Sequence, residues 1–410
     1  MLRLILLISR LLVGVVFIFS GFVKAVDPLG SNYKFIDYFA AFGMDFLEPL
    51  ALPLAIVLSA AEFVIGISLL LGIRIKEASW AVLIFMGIFT PLTLYLAIAN
   101  PVTDCGCFGD AIILTNWETF YKNLIILALV LVIFFLRNRY QQLYNKIIEW
   151  GIVAFFSLFV VVLSIYCYRH LPIMDFRPYH TGTYIPEKME IPEGAPQPEY
   201  KVVLKYKKNG EIREFSMENL PDSTWTWVET ESIQVSEGYE PPIHDFTMDP
   251  LNGGGDITDR VLQDEDYSFV MIAYDLQDAM HNYNDRINEW AAFARQNNYR
   301  FICLTASLEK DIRNFKEKTG ASYDFYLTDE ITLKTIIRSN PGIVILKEGT
   351  VLDKWHVNDI PEVDQYQPPF LSEKLTRLKR GQENQLVYMF ILGFVILVVA
   401  FKYFYRRKFR

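Results

Sequence analysis

Two cysteines separated by one glycine, Cys105-Gly106-Cys107, are the residues of this chain best suited to chemistry. Paired thiols can exchange: a thiolate attacks a disulfide sulfur, one S–S bond forms as another breaks, and two electrons change hands. Cysteines two apart meet only where the backbone between them turns tightly, and glycine allows that turn because it has no Cβ. A bond closing so small a ring is strained, and strained disulfides are easily reduced. The same residues also suit a purely structural turn, in which the glycine serves the bend. Spacing leaves both readings open. Two thiols fall short of the four ligands of a structural zinc, and no histidine lies nearby in sequence.

Neighbouring charges set the acidity of these thiols. Asp104 and Asp110 flank the pair and disfavour a thiolate, whereas Lys24 and Lys122 favour one. Cys167, in SIYCYRH, is a candidate resolving thiol or else a small buried hydrophobe. Cys303 lies in an apolar run and reads as core. Glu62 sits deep in LSAAEFVIGISL, where a carboxylate costs roughly 2.5–3.5 kcal/mol on insertion scales. It suits a proton relay to a redox carrier, a contact to the carrier's head group, or a pairing with Lys24, Asn123 or a backbone carbonyl. The histidines (His170, His180, His244, His281, His356) are scattered and indicate neither a metal site nor a hydrolytic triad.

The elements that must position these residues are apolar blocks. The chain has 410 residues and is 52% hydrophobic, and a helix needs about 20 apolar residues to cross a bilayer core. Six segments qualify: 3–25, 50–72, 78–99, 117–136, 147–168 and 386–404. Arg and Lys gather at Arg3 and Arg10, at Arg74 and Lys76, at Arg137, Arg139 and Lys146, and at Arg406, Arg407, Lys408 and Arg410. If the spans alternate, all four clusters share one side. The positive-inside rule then puts both termini in the cytoplasm and residues 169–385, with the CGC loop, on the outer, oxidising side. Residues 31–46 read as an amphipathic helix along that outer interface.

Residues 169–385 carry 24 Lys or Arg against 37 Asp or Glu. So acidic a region lacks the clustered cations that nucleic acid requires. Its first part, 169–200, is proline-rich and predicts an extended stalk. YKVVLKYKKNGEIREF alternates around Asn209-Gly210 and predicts a hairpin, with WTWVETESIQV as a third strand. From 267 onward strands and helices alternate, and Asn340-Pro341 leads into two last strands, GIVILKEG and TVLDKWHV. That order predicts a mixed sheet with helices on both faces.

The first four spans, with Ser20-Gly21-Phe22-Val23-Lys24, Glu62, DCGCFGD and Lys122-Asn123, resemble the DoxX/MauE family of small bacterial membrane proteins over residues 3–136. The resemblance implies a bacterial inner membrane, quinone-linked or thiol redox chemistry, and Cys105 and Cys107 as the redox pair. Residues 256–360 look like a thioredoxin fold, with Pro341 where thioredoxins keep a cis proline. After the strand ending near Tyr274, however, this chain has Asp275-Leu276-Gln277-Asp278 and no cysteine. The domain therefore cannot perform dithiol exchange itself, and the resemblance implies client binding near Pro341 and Asp275. Spans fused to such a domain and a final anchor look like DoxX-like proteins of Bacteroidetes.

The expected organisation is a DoxX/MauE-like membrane domain (1–140), a fifth transmembrane helix (141–168), a stalk and hairpin region (169–255), a thioredoxin-like α/β domain (256–370) and a transmembrane anchor (371–410). Three functions fit. In the first, an envelope thiol–disulfide component uses Cys105, Cys107 and Cys167, a membrane quinone held near Glu62 and Lys24, and a periplasmic protein client. The second is a non-enzymatic membrane scaffold in which the CGC turn is structural. The third, suggested by Glu62 and the four-helix unit, is a small-molecule transporter.

Overall fold

A computed structural model describes residues 2–365 except 103, 141–144, 197–198, 209–210, 217–218, 223, 237 and 281–283. The apolar blocks form helices α1 (Leu2–Val26), α3 (Ala51–Leu71), α4 (Ile75–Ala99), α5 (Asn116–Leu136) and α6 (Lys146–Arg169), with α2 (Pro28–Ala41) between the first two. These five, of 21 to 25 residues each, are long and apolar enough to cross a membrane. The chain is a polytopic membrane protein. The anchor expected at 386–404 lies outside the described residues.

Local signals in the sequence explain the helix ends. Asp27 accepts a hydrogen bond from the Gly30 amide at 2.9 Å, and Pro28 supplies the first residue of α2. Thr115 and Glu118 form a capping box that starts α5. Gly72, at φ 72°, ends α3.

The contact between α1 and α3 is unusually close. A Cβ on Gly21 would lie 2.5 Å from the Phe63 amide nitrogen, and one on Gly66 would lie 2.6 Å from that of Ile18. Only glycine lets these two backbones come so near, as in tightly packed membrane helix pairs. This brings Ser20 and Lys24 of α1 against Glu62 of α3.

Beyond the bundle, β1 (Glu199–Lys208), β2 (Glu211–Ser216) and β3 (Thr226–Ser236) form an antiparallel sheet in the order β2-β1-β3. The expected hairpin strands are present, although the Asn209-Gly210 turn itself lies outside the described residues. A larger sheet contains β4 (Asp249–Pro250), β5 (Ser268–Ile272), β6 (Arg300–Thr305), β7 (Asp324–Leu327), β8 (Gly342–Lys347) and β9 (Thr350–His356), in the order β4-β7-β6-β5-β8-β9. The β5–β6 and β6–β7 pairs are parallel, and the other pairs are antiparallel.

All of β5 is buried, and successive side chains feed two cores. Phe269 and Met271 join Trp290 and Phe315 on one side; Val270 and Ile272 join Leu304 and Leu333 on the other. Two short helices come first, α7 (Ile185–Met189) and α8 (Thr258–Leu262), and α9 (Asn284–Gln296), α10 (Glu309–Thr319) and α11 (Glu330–Ile336) complete the layers.

The expected stalk is not extended throughout. Tyr179 and Ile185 are buried in the second core, the Gly182 amide donates to Val351 O at 2.7 Å, and Tyr184 bridges Thr350 beside β9. Apolar side chains between the prolines fold this segment back onto the sheet domain.

Candidate functional site

Cys105, Gly106 and Cys107 form a tight turn at the end of the bundle where α1 finishes and α5 begins. Gly106 adopts φ 64°, the left-handed region that glycine tolerates best. Both cysteines are free thiols, and their sulfurs lie 2.9 Å apart. Each flanking carbonyl is held. The Tyr38 hydroxyl donates to Cys105 O at 2.8 Å, and the Ser20 hydroxyl lies 2.7 Å from Cys107 O. The Gly106 amide donates to the Asp104 carboxylate at 3.0 Å. The turn is positioned by α1 from below and α2 from the side.

Charge is arranged on three sides. Lys24 Nζ lies 2.8 Å from both oxygens of Glu62, and the two residues are only 7% and 3% exposed. Ser20 Oγ lies 2.7 Å from Glu62 and so links this pair to the turn. Lys122 Nζ rests 4.3 Å from the centre of the Phe108 ring. The two flanking aspartates have their own partners: Asp104 pairs with Lys34, and Asp110 with Arg338 at 3.0 Å.

The lysines therefore act on the thiols while the aspartates are engaged elsewhere. The hydrogen bond from Cys105 lowers the Cys107 thiol to about 6 against the opposing effect of burial, with Lys122 and Lys24 assisting and Glu62 resisting. The same shared hydrogen bond, followed by burial, pushes Cys105 well above the usual thiol range. Of the two, Cys107 is the one whose surroundings favour the thiolate.

Both cysteines line a cavity of about 260 Å³ within the bundle. Its wall includes the aromatic rings of Phe35, Phe39, Phe85 and Phe89 and the polar side chains of Lys24, Glu62 and Lys122. An apolar chamber with a few convergent polar groups is the usual form of a small-molecule site.

Other expected site residues fall elsewhere. Cys167 is buried in an apolar cluster with Ala25, Val26 and Phe63, and it does not line the cavity shared by Cys105 and Cys107. Pro341 is buried and follows a cis peptide bond. Asp275 is half-buried and exchanges backbone and side-chain hydrogen bonds with Asn340, the shorter at 2.8 Å. No group of three or more His, Cys, Asp or Glu suited to a metal is present among the described residues.

Several residues at the site carry little signal in the sequence. Asp27-Pro28 announces a helix start, but nothing in sequence links Asp27 to Arg338, which it meets at 2.9 Å across 311 positions. Tyr38 and Lys34 reach the turn only because α2 folds back over it.

The bundle with its CGC turn defines a membrane protein with two free thiols in contact at one end of its helices. Residues 2–136, about a third of the chain, match the family model described as Methylamine utilisation protein MauE. Residues 200–237, which include the three-stranded sheet, match a domain of unknown function (DUF8463). No curated protein and no solved structure matches the chain.

Proposed function

We propose that this protein is an inner-membrane component of an envelope thiol–disulfide pathway in which Cys105 and Cys107 open and close as a bond. The carrying observation is two free thiols in contact at 2.9 Å, one of them in surroundings that favour the thiolate, lining a cavity inside the membrane bundle. In this reading the CGC end and the sheet domain lie in the periplasm and the termini in the cytoplasm. Arg10, Arg74 and Arg137 lie at the opposite end of the bundle from the CGC turn, as the positive-inside rule requires.

The cavity's partner is a membrane quinone. Its aromatic wall residues fit the ring, and Lys24, Glu62 and Lys122 supply polar contacts. Closing the bond from this thiolate–thiol pair breaks one S–H bond and forms one S–S bond, so one of the two protons the carrier takes up comes from Cys105 and the other from solvent. Two electrons and two protons pass to the quinone's oxygens, and the reverse transfer opens the bond. Within the chain, Cys107 presents the thiolate, Cys105 holds the shared proton, and the Lys24–Glu62 pair with Ser20 keeps a proton-exchanging group beside the turn. The second exchange partner is a thiol or disulfide of an envelope protein.

The sheet domain is a thioredoxin-like fold without its cysteines. The β5-α9-β6 unit, the antiparallel β8–β9 pair and the position of Pro341 before β8 support this reading. It serves recognition rather than exchange, with Pro341 and Asp275 at the ends of β8 and β5 beside Tyr274 and Arg338, which contact the bundle side at Tyr33 and Asp27.

A second reading has one observation in its favour. Hydrogen bonds from Tyr38 and Ser20 brace the CGC carbonyls, as they would in a structural turn of a non-enzymatic, partner-binding scaffold. Trapping in native membranes separates the two. Cells are quenched in acid, free thiols are alkylated, and the CGC peptide is read by mass spectrometry before and after respiratory quinone is depleted. A redox component shifts its thiol-to-disulfide ratio, and Cys105→Ser or Cys107→Ser accumulates a mixed disulfide with another protein. A scaffold shows one fixed state and no adduct.

A further inference from the structure

The CGC turn is shielded at the end of the bundle that faces the sheet domain. Cys105 is only 8% exposed. Helix α2 lies over the turn: the Tyr38 hydroxyl holds Cys105 O, and Lys34 pairs with Asp104. The Lys34 stem packs so closely that a Cβ on Gly106 would meet its Cγ at 3.0 Å. Phe35 and Phe39 from the same helix roof the cavity. Cys105 is thus covered from α2, while Cys107 is half-buried and lines the cavity.

The sheet domain grips this helix at its first turn. Arg338, 5% exposed, directs Nε to both oxygens of Asp27 at 3.0 and 2.9 Å and Nη2 to Asp110 at 3.0 Å. Asp27 is the residue that caps α2, and Asp110 closes the CGCFGD turn. One guanidinium therefore ties together the lid's start, the redox turn and the segment just before Pro341. Tyr33 adds a second contact on the next turn of α2, with its hydroxyl 3.5 Å from that of Tyr274 and its ring under Lys334. At its far end α2 passes into Gly43, at φ 65°, where an added Cβ would meet nothing within 4 Å.

We infer that α2 is a lid over the Cys105–Cys107 pair and that Arg338 is its latch, so that the sheet domain regulates access of protein thiols to the pair. This rests on the redox role proposed for the pair and assigns the domain a regulatory role at the same site. With the latch closed, the pair communicates with the cavity in the bundle. When it is released, α2 swings about Gly43 and the sulfurs face the aqueous side. The pair then serves its two exchange partners in turn, which prevents a protein thiol and a lipid-soluble carrier from meeting there at once.

The test uses the full chain in lipid nanodiscs, reduced, with labelling of the CGC peptide followed by mass spectrometry. Two reagents are compared: a large charged maleimide that stays in water, and N-ethylmaleimide, which enters the bilayer. In the native chain the permeant reagent labels the pair much faster. Arg338→Gln is expected to raise the rate with the charged reagent at least tenfold and to change the permeant rate less than threefold. Asp27→Asn, which leaves Arg338 its partner Asp110, is expected to shift the charged-reagent rate the same way by a smaller factor and guards against a folding failure in the first variant. Hydrogen exchange should speed up across residues 30–41 in both variants. Unchanged charged-reagent rates in both, with the pair still reactive to the permeant reagent, would overturn the latch but leave the redox reading standing. A pair inert to both reagents in every chain would overturn the redox reading and the latch with it.

Discussion

Lys24 Nζ lies 2.8 Å from each carboxylate oxygen of Glu62, and the Ser20 hydroxyl joins that pair to the carbonyl of Cys107. This buried ion pair exists because Gly21 and Gly66 let α1 and α3 touch. Removing one partner strands a charge in an apolar bundle, whereas removing both does not. Glu62→Gln should therefore lower stability by about 3–5 kcal/mol, and Lys24→Met with Glu62→Met should recover most of it in detergent melts. On the proposed redox role the double variant should still exchange poorly with a quinone, since two of the cavity's polar side chains are gone. Equal destabilisation by the single and double variants would contradict this.

Alkylation of the reduced pair should follow a thiolate that titrates near pH 6, with the rate approaching a plateau above about pH 7 instead of climbing towards the usual thiol value near 8.5. Lys122→Met removes a favourable charge and should raise that midpoint by about one unit. A midpoint unmoved by the substitution would show that Lys122 does not act on Cys107.

Gly106→Ala places a side chain at φ 64° and against Lys34. The left-handed conformation alone costs roughly 1–2 kcal/mol, so the turn should open and disulfide closure should slow by about tenfold. Closure at the native rate would mean that the turn does not need its glycine.

On the sheet domain, the partial burial of Asp175 would by itself raise its pKa, but Lys354 at 2.9 Å and Arg177 at 2.8 Å more than compensate and hold its carboxyl well below the usual range. A depressed carboxyl stabilises the fold above its unfolded value of about 3.9, and that contribution is lost as pH falls through the folded value. Melts should accordingly weaken below about pH 4 in the native chain. Asp175→Asn should remove this pH dependence and cost about 3–5 kcal/mol at neutral pH.

Glu149, near the start of α6, is fully buried, and neither of its oxygens has a hydrogen-bond partner among the described residues. An unsatisfied buried group costs about 1–3 kcal/mol. Glu149→Met, which removes both polar atoms, should therefore raise the melting temperature, and a fall would reveal a partner for the carboxylate.

Legibility in the sequence depends on the range of the interactions. The five described spans and strands β5 to β9 are written in local apolar patterns, and the structure places them within a few residues of expectation, whereas the two-residue β4 carries no such pattern. The CGC turn is visible because glycine between two cysteines has a local meaning. Lys24 and Glu62 each stand out as charges in apolar segments, but their pairing is one of several options until the α1–α3 contact fixes it. Arg338, Tyr38 and Lys34 give no such sign. Each is an ordinary polar residue in its own helix or turn, and each gains its role from a fold that returns it to the CGC turn. The stalk departs from expectation for a related reason: its prolines are conspicuous, while the burial of Tyr179 and Ile185 depends on strands formed much later in the chain.

A redox titration of the full chain in nanodiscs tests the central claim most directly. The protein is equilibrated across glutathione or dithiothreitol buffers, free thiols are alkylated, and the mass of the peptide containing Cys105 and Cys107 is read. The account predicts a reversible two-electron transition between dithiol and intramolecular disulfide, approached equally from the reduced and the oxidised side and abolished by Cys105→Ser or Cys107→Ser. Two free thiols at every potential, or a bond that never reopens, would contradict it.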